Sequence, residues 1–416
     1  MGSVSLHEIH QALEKRDVKR AEIILARLLR SDLVTAERAE ALVTRARVRL
    51  FSGRPDDALA DLREAATLAP DVAAAPEFLE LRADAHLARF ELASVGFADR
   101  GDTAQASLDY AMLMELVPSW PNRGWTHYQQ ARIALSENRT TDAIAHLQQA
   151  LLNPSTVPAL SAYCYERLGF ISFFDQRNPT EALAWLDRAV ATYPAGQPRV
   201  WLAEIHTLRS RVLREARDYT QSLTAADLSL KIAGGCGAAG RDALADAALF
   251  AAEVASELAG RERAVIAYVQ QFTSASKKPL GIDVTWSRSQ ELLGDAYLRA
   301  GLASEALESY QAALRYNPYH PWELKLYFQI AHCYYQLHEY GRSAHAVNVL
   351  LRSADEDEPV LRDFRVHALL GNALYAQGDY ANAANAYRAA LLCAPEHADG
   401  LDGLQTYYHD AMERSE

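Results

Sequence analysis

Cysteine is almost missing from this chain. Cys164, Cys236, Cys333 and Cys393 stand far apart, and no two form a C-x-x-C pair. That excludes a disulfide framework or a thiolate metal knuckle and predicts reduced, structural thiols. Lysine is nearly as scarce, confined to Lys15, Lys19, Lys231, Lys277, Lys278 and Lys325. With arginine included, 42 basic residues face 54 acidic ones, for a net charge of −12. A basic footprint for nucleic acid or an anionic membrane is therefore not expected. No apolar run approaches the length of a spanning helix, and the opening residues MGSVSLHEIHQALEKR lack the apolar core of a secretory signal. These absences predict a cytoplasmic protein without membrane insertion. Alternating β-branched stretches are wanting too. Alanine-rich segments take their place and point to helix.

Chemistry-bearing constellations are equally hard to find. The 13 histidines include no H-E-x-x-H, and none stands with a cysteine at metal-ligand spacing. His320, His332, His338 and His345 are the densest group and read as ordinary surface or core histidines. Residues 235–240, GCGAAG, fit G-x-G-x-x-G. A dinucleotide fingerprint would need a strand before them, and SLTAADLSLKIAG reads as helix, so the stretch is expected to be a loop. Arg100-Gly101-Asp102 and Asn138-Arg139-Thr140 are each expected in turns. No Ser/His/Asp set, phosphate-binding loop or catalytic carboxylate pair can be argued. The expectation is a protein that is not an enzyme and needs no cofactor or metal.

What the chain does have is a repeated brick. Ser287 to Pro318 holds two helical patterns back to back. The first carries Leu292, Leu293, Ala296 and Tyr297 on one face and ends at Gly301. The second opens near Ser304 and carries Ala306, Leu307, Tyr310, Ala313 and Leu314 before Pro318. Gly294 and the alanines mark where two helices must come close, with Tyr297 and Tyr310 filling space beside the contact. A second copy reads Leu370, Gly371, Gly378, Tyr380, Ala383, Tyr387, Ala390 and Pro395.

These spacings resemble the tetratricopeptide repeat, a 34-residue helix–turn–helix unit. Further copies are weaker. One carries Ala46, Gly53, Ala58, Leu62 and Ala65; another Trp125, Tyr128, Ala131, Ala143 and Leu147; a third Leu168, Gly169, Ala182 and Leu186. In that third copy the turn holds one extra residue, with Asn178 as helix cap and Pro179 at the first turn. The third unit's first helix, roughly 77–95, is expected to be extended by about two turns. Ser5 to Glu8 spells a capping box. The resemblance implies an all-α, right-handed superhelical solenoid of about ten repeats. Seven units, several degenerate, occupy 1–272; a loop or hinge spans 273–285; three repeats fill 286–400; and a capping helix closes 401–416.

The resemblance also implies a concave groove lined by one side of each first helix. Carried onto this sequence, the groove residues are Trp125, Tyr128 and Arg132, then Tyr163, Phe170 and Phe174. Arg211, Phe328, Tyr335 and Asn372 continue them. Aromatics supply apolar contact at low entropy cost, and arginine anchors carboxylates. Asn372 is expected to hold a peptide backbone through both amide atoms. The implied function is a scaffold or adaptor for a protein or peptide segment. A regulatory sensor responding to a peptide or small ligand, and a homo-oligomer assembled through residues 77–100, are the alternatives. The lysine and asparagine pattern that clamps acidic chaperone tails is missing from the last three repeats.

Overall fold

The computed structural model describes residues 9, 18–92, 100–197, 199–355, 357–395, 398 and 400–415. Among them are 21 α-helices and no strand. Two compact units divide the chain, residues 1–197 and 198–416.

In the first unit α1 (Val18–Leu28) precedes four hairpins. These are α2 (Thr35–Phe51) with α3 (Pro55–Leu68), α5 (Pro76–Leu92) with α6 (Arg100–Leu116), α7 (Arg123–Ser136) with α8 (Thr140–Leu152), and α9 (Leu160–Phe174) with α10 (Pro179–Thr192). The one-turn α4 (Pro70–Ala73) links the first two. The second unit holds five hairpins and a last helix. The pairs are α11 (Val200–Glu215) with α12 (Tyr219–Gly234), α13 (Arg241–Ser256) with α14 (Glu262–Ala275), α15 (Val284–Arg299) with α16 (Ala303–Tyr316), α17 (Glu323–Gln336) with α18 (Tyr340–Ser353), and α19 (Phe364–Ala376) with α20 (Tyr380–Cys393). The cap is α21 (Leu401–Ser415). Within each unit the second helix of a hairpin packs on the first helix of the next. A hairpin has two apolar faces and one partner, so burial is completed only by stacking.

One seam recurs. A side-chain carbon added at Gly294 would lie 2.6 Å from Tyr310 Cε1, and at Gly371 it would lie 2.6 Å from Tyr387 Cδ1. Each tyrosine ring therefore lies flat over its glycine, filling the contact itself rather than the space beside it. Ala58, Ala143, Ala182, Ala306 and Ala383 are fully buried at the matching place on the second helices. The turns repeat as well. Gly53, Asn138, Arg177, Arg217, Gly260, Gly301, His338 and Gly378 all take positive φ between paired helices. The next residue often donates its N–H five residues back, as Leu302 does to Tyr297 O at 2.9 Å, which closes the first helix. After Arg177 the bond reaches six back, Asn178 N to Ser172 O at 2.8 Å, because that turn is one residue longer. Asn178 Oδ1 caps the following helix through Glu181 N, with Pro179 next.

Several expectations need correcting. Gly101 and Asp102 belong to the first turn of α6, not to an inter-helix turn. Asp102 is buried there, bound by Arg89 Nε at 2.9 Å and His86 Nδ1 at 2.6 Å. Helix α5 runs Pro76–Leu92 in its described part; the end of the expected extension, to residue 95, lies outside the described residues, as does the Ser5–Glu8 capping box. Residues 273–275 finish α14 and 284–285 begin α15, leaving 276–283 as the connection. Residues 235–240 follow a helix, and Gly237–Gly240 form a 3-10 turn. All four cysteines are free. Burial pushes the Cys164 and Cys333 thiols up to about 12, so both are inert packing groups.

Candidate functional site: the first-helix faces

In the first unit the face lined by α5, α7 and α9 is aromatic. Trp125 stacks on Tyr128 at 5.3 Å between ring centres, Tyr128 meets Tyr163 at 6.1 Å, and Tyr163 meets Tyr193 at 6.5 Å. Phe170 and Phe174 lie 4.4 Å apart, and Phe173 meets Phe174 edge-on at 4.7 Å. Of the six residues expected here, Trp125, Tyr128, Arg132 and Tyr163 are thus brought together, while Phe170 and Phe174 form a second cluster, reached from Tyr128 through Arg167, whose guanidinium lies 6.0 Å from the Phe170 ring centre. Their exposure differs, however. Tyr128 is 6% exposed and belongs to the core between hairpins; Phe174 is 37% exposed. Tyr128 is therefore corrected from groove residue to support, because both neighbouring rings and the Arg132 guanidinium, 5.8 Å from its centre, cover it.

Helix α5 adds two carboxylates beneath this run. Glu80 Oε1 accepts from Asn122 Nδ2 at 2.7 Å and Trp120 Nε1 at 3.2 Å. Asp84 Oδ1 accepts from Gln129 Nε2 at 2.9 Å, from Trp125 Nε1 at 3.3 Å and from the Tyr110 hydroxyl. Burial raises both carboxyls above their ordinary range, against the pull of these neutral donors. Arg132 is occupied by Gln129 Oε1 at 2.7 Å and by the Glu91 carboxylate. Sequence reasoning missed Glu80 and Asp84. Their signal is the one-turn spacing on α5, which mimics a solvated helix face until Trp120, Asn122 and Trp125 are seen to come back over it.

The second unit's first-helix face is ionic. Arg214 binds Glu253 at 3.2 Å and Glu257 at 3.1 Å, and Arg288 lies 3.6 Å from Glu253 and 2.6 Å from Glu291. Lys325 then bridges Glu291 at 3.0 Å and Asp295 at 3.5 Å. The ladder crosses α11, α13, α15 and α17. Glu291 is 1% exposed at its side chain. Burial pushes its carboxyl upward, but Arg288 and Lys325 outweigh that and hold it below the usual range. Arg211 sits over the Phe250 ring at 5.3 Å. Phe328 packs into the core formed with α19, and Tyr335 lies against Tyr340 at 5.4 Å. Asn372 is corrected: its Oδ1 accepts from the Tyr387 hydroxyl at 2.9 Å. One amide atom is thus taken by the seam, and the two-atom grip on a peptide is not open to it. Among the described residues no group of three metal-ligating side chains exists, and no helix is long and apolar enough to cross a membrane.

Antiparallel hairpins, stacked through a glycine and alanine seam and turned, in eight of the nine, by one left-handed residue, define a helical-repeat protein. Family models described as tetratricopeptide repeat match residues 128–197, 287–320 and 364–397. With this fold, those matches make the chain a tetratricopeptide repeat protein. No curated protein matches it. Among solved structures it resembles a signal transduction ATPase with numerous domains from Pyrococcus horikoshii, which carries a tetratricopeptide repeat sensor. That match has a TM-score of 0.53 and 16% identity, over 93% of this chain and 57% of that one. It also resembles the apo form of RapI, with a TM-score of 0.50 and 14% identity, over 75% of this chain and 92% of that one. At these identities the likeness is one of fold. Tetratricopeptide repeats are in general non-catalytic scaffolds for protein or peptide partners.

Proposed function

We propose that this protein is a non-catalytic adaptor that holds an extended partner segment against the first-helix face of its first unit, on α7 and α9. The observation carrying this reading is the half-open cluster of Phe170, Phe173 and Phe174 on α9, next to the stacked Trp125, Tyr128 and Tyr163. A ring left 37% exposed beside buried ones offers apolar area whose position is already set, so little entropy is lost on binding. Arg132 and Glu91 pair with each other at the edge of the stacked rings, so the rings supply the contact. The second unit's face supports binding less, since its charges are already paired with one another. A peptide-display selection against the full chain tests the proposal. Recovered peptides should bind the wild-type protein and lose at least about tenfold in affinity to Phe170→Ala/Phe174→Ala, with helicity unchanged. A selection that returns no ligand, or ligands indifferent to the double variant, refutes it.

A further inference from the structure

Three successive connections between hairpins in the second unit have an unusual make-up. Residues 276–283 join α14 to α15, residues 317–322 join α16 to α17, and residues 354–363 join α18 to α19. Because paired helices are antiparallel, these connections all lie at the end opposite the positive-φ turns. Stacking of α14 on α15, α16 on α17 and α18 on α19 sets them side by side in that order. Asp283 N donates to Tyr316 O at 2.8 Å, which ties the first connection to the start of the second.

The first connection is basic and apolar. Lys277 and Lys278 are exposed, and Leu280 is 108%, Ile282 62% and Val284 64% exposed. The second is aromatic, with Tyr319 83% and Trp322 62% exposed. The third is acidic, with Asp355, Asp357 and Glu358 exposed and a single exposed arginine, Arg362, after them. No ion pair holds the side chains of Lys277, Lys278, Asp355, Asp357 or Glu358 among the described residues. Large apolar side chains on one edge mark an interaction surface. The order of charge along the edge, positive to apolar to negative, decides what fits it.

We propose that this edge binds the same edge of a second copy of the chain. A two-fold axis through the aromatic connection lays Tyr319 and Trp322 of one copy on those of the other. The same rotation sets Lys277 and Lys278 of each copy against Asp355 and Asp357 of its mate. An edge with opposite charges flanking an apolar centre is self-complementary under a two-fold, as an isologous dimer requires. An anionic bilayer would be repelled by the acidic third of the same edge.

Light scattering and sedimentation equilibrium of the full chain test this. The wild type should form dimers that weaken as salt is raised. Trp322→Glu should be monomeric. Lys277→Glu/Lys278→Glu and Asp355→Lys/Asp357→Lys should each dimerise at least about tenfold more weakly. Mixed together, those two charge-reversed chains should pair one to one, since every facing contact is again opposite in sign. All four positions are exposed, so unchanged helicity separates these effects from misfolding. A wild type that stays monomeric to high concentration overturns the proposal, and so does a mixture that fails to pair. Cosedimentation of the wild type with phosphatidylcholine/phosphatidylserine vesicles, abolished by Trp322→Glu while the chain remains a monomer, would overturn it in favour of a membrane.

Discussion

The two units use one seam and present two different faces. Ala143 and Ala306 are both fully buried at the matching place on their second helices. Yet α7 and α9 carry stacked rings, while α11, α13, α15 and α17 carry a ladder of arginine, lysine and carboxylate. The seam answers to helix spacing, which tolerates only small residues. The face answers to whatever stands opposite it, which is not constrained by the hairpin. Repeat identity and binding surface are therefore written in separate residues of the same helix.

The largest expected effect tests whether the seam really is shared. Ala306→Glu buries a charge at a fully buried site and should cost several kcal/mol, about 3 or more; Ala143→Glu in the first unit should cost a similar amount. Hydrogen exchange should show protection lost first in α15 and α16 for the one and in α7 and α8 for the other. Equal loss across the whole chain would contradict stacking of locally stable hairpins.

A second test sets two carboxylates against each other. Glu291→Gln strands Arg288 and Lys325 and should cost about 2 kcal/mol near neutral pH. Because the Glu291 carboxyl is held low, its contribution is present above its unfolded value of 4.5 and fades as pH falls through the folded value. The gap between wild type and variant should narrow on acidification. Asp84 has the opposite sign. Its carboxyl is raised by burial, so its ionised form is a burden at neutral pH that protonation lifts. Asp84→Asn should change stability by no more than about 1 kcal/mol at pH 7, and the wild type should gain on the variant as pH falls. Parallel slopes for the two variants would erase the distinction between the faces.

A smaller effect belongs to the first unit alone. His127 and His146 meet through their Nδ1 atoms at 3.3 Å. Burial first, then the charges of His146 and Arg123, bring His127 down from 6.5 to about 4. The stability this represents is complete above pH 6.5 and is lost as pH falls toward 4. His127→Gln should flatten the thermal-melt profile across that window, while a profile identical to wild type would assign the acid sensitivity elsewhere. The smallest effect expected is on folding in Phe174→Ser. With the ring over a third exposed, the melt should shift by no more than about 1 kcal/mol equivalent.

Much of the fold was legible because the seam and turns depend on residues whose chemistry is local. Gly294 under Tyr310, Ala306 on α16 and Gly301 at positive φ need only their own hairpin. So does the extra residue at Asn178. The hairpin of α5 and α6 was less legible, since nothing around Arg100-Gly101-Asp102 distinguishes a turn glycine from one in the first turn of a helix. The faces were legible only as positions. Whether Tyr128 is open or covered is set by Trp125, Tyr163 and Arg132, and what Asn372 can hold is set by Tyr387, fifteen residues on. Tyr387 reaches Asn372 once its own hairpin closes, but Tyr163 reaches Tyr128 only after the next hairpin stacks. The salt ladder of the second unit was hidden for the same reason, since Arg214, Glu253, Arg288, Glu291 and Lys325 sit on four different helices.

Four of the eight turns place a residue other than glycine in the left-handed region: Asn138, Arg177, Arg217 and His338, with φ between 54° and 60°. Each of these side chains opposes its backbone by roughly 1 kcal/mol. Glycine would remove that opposition while loosening the unfolded chain. The net yield would be small and additive over distant sites. Each unit thus carries two tuning points, Asn138 and Arg177 in the first and Arg217 and His338 in the second, where its rigidity can be adjusted without altering its own aromatic or ionic wall.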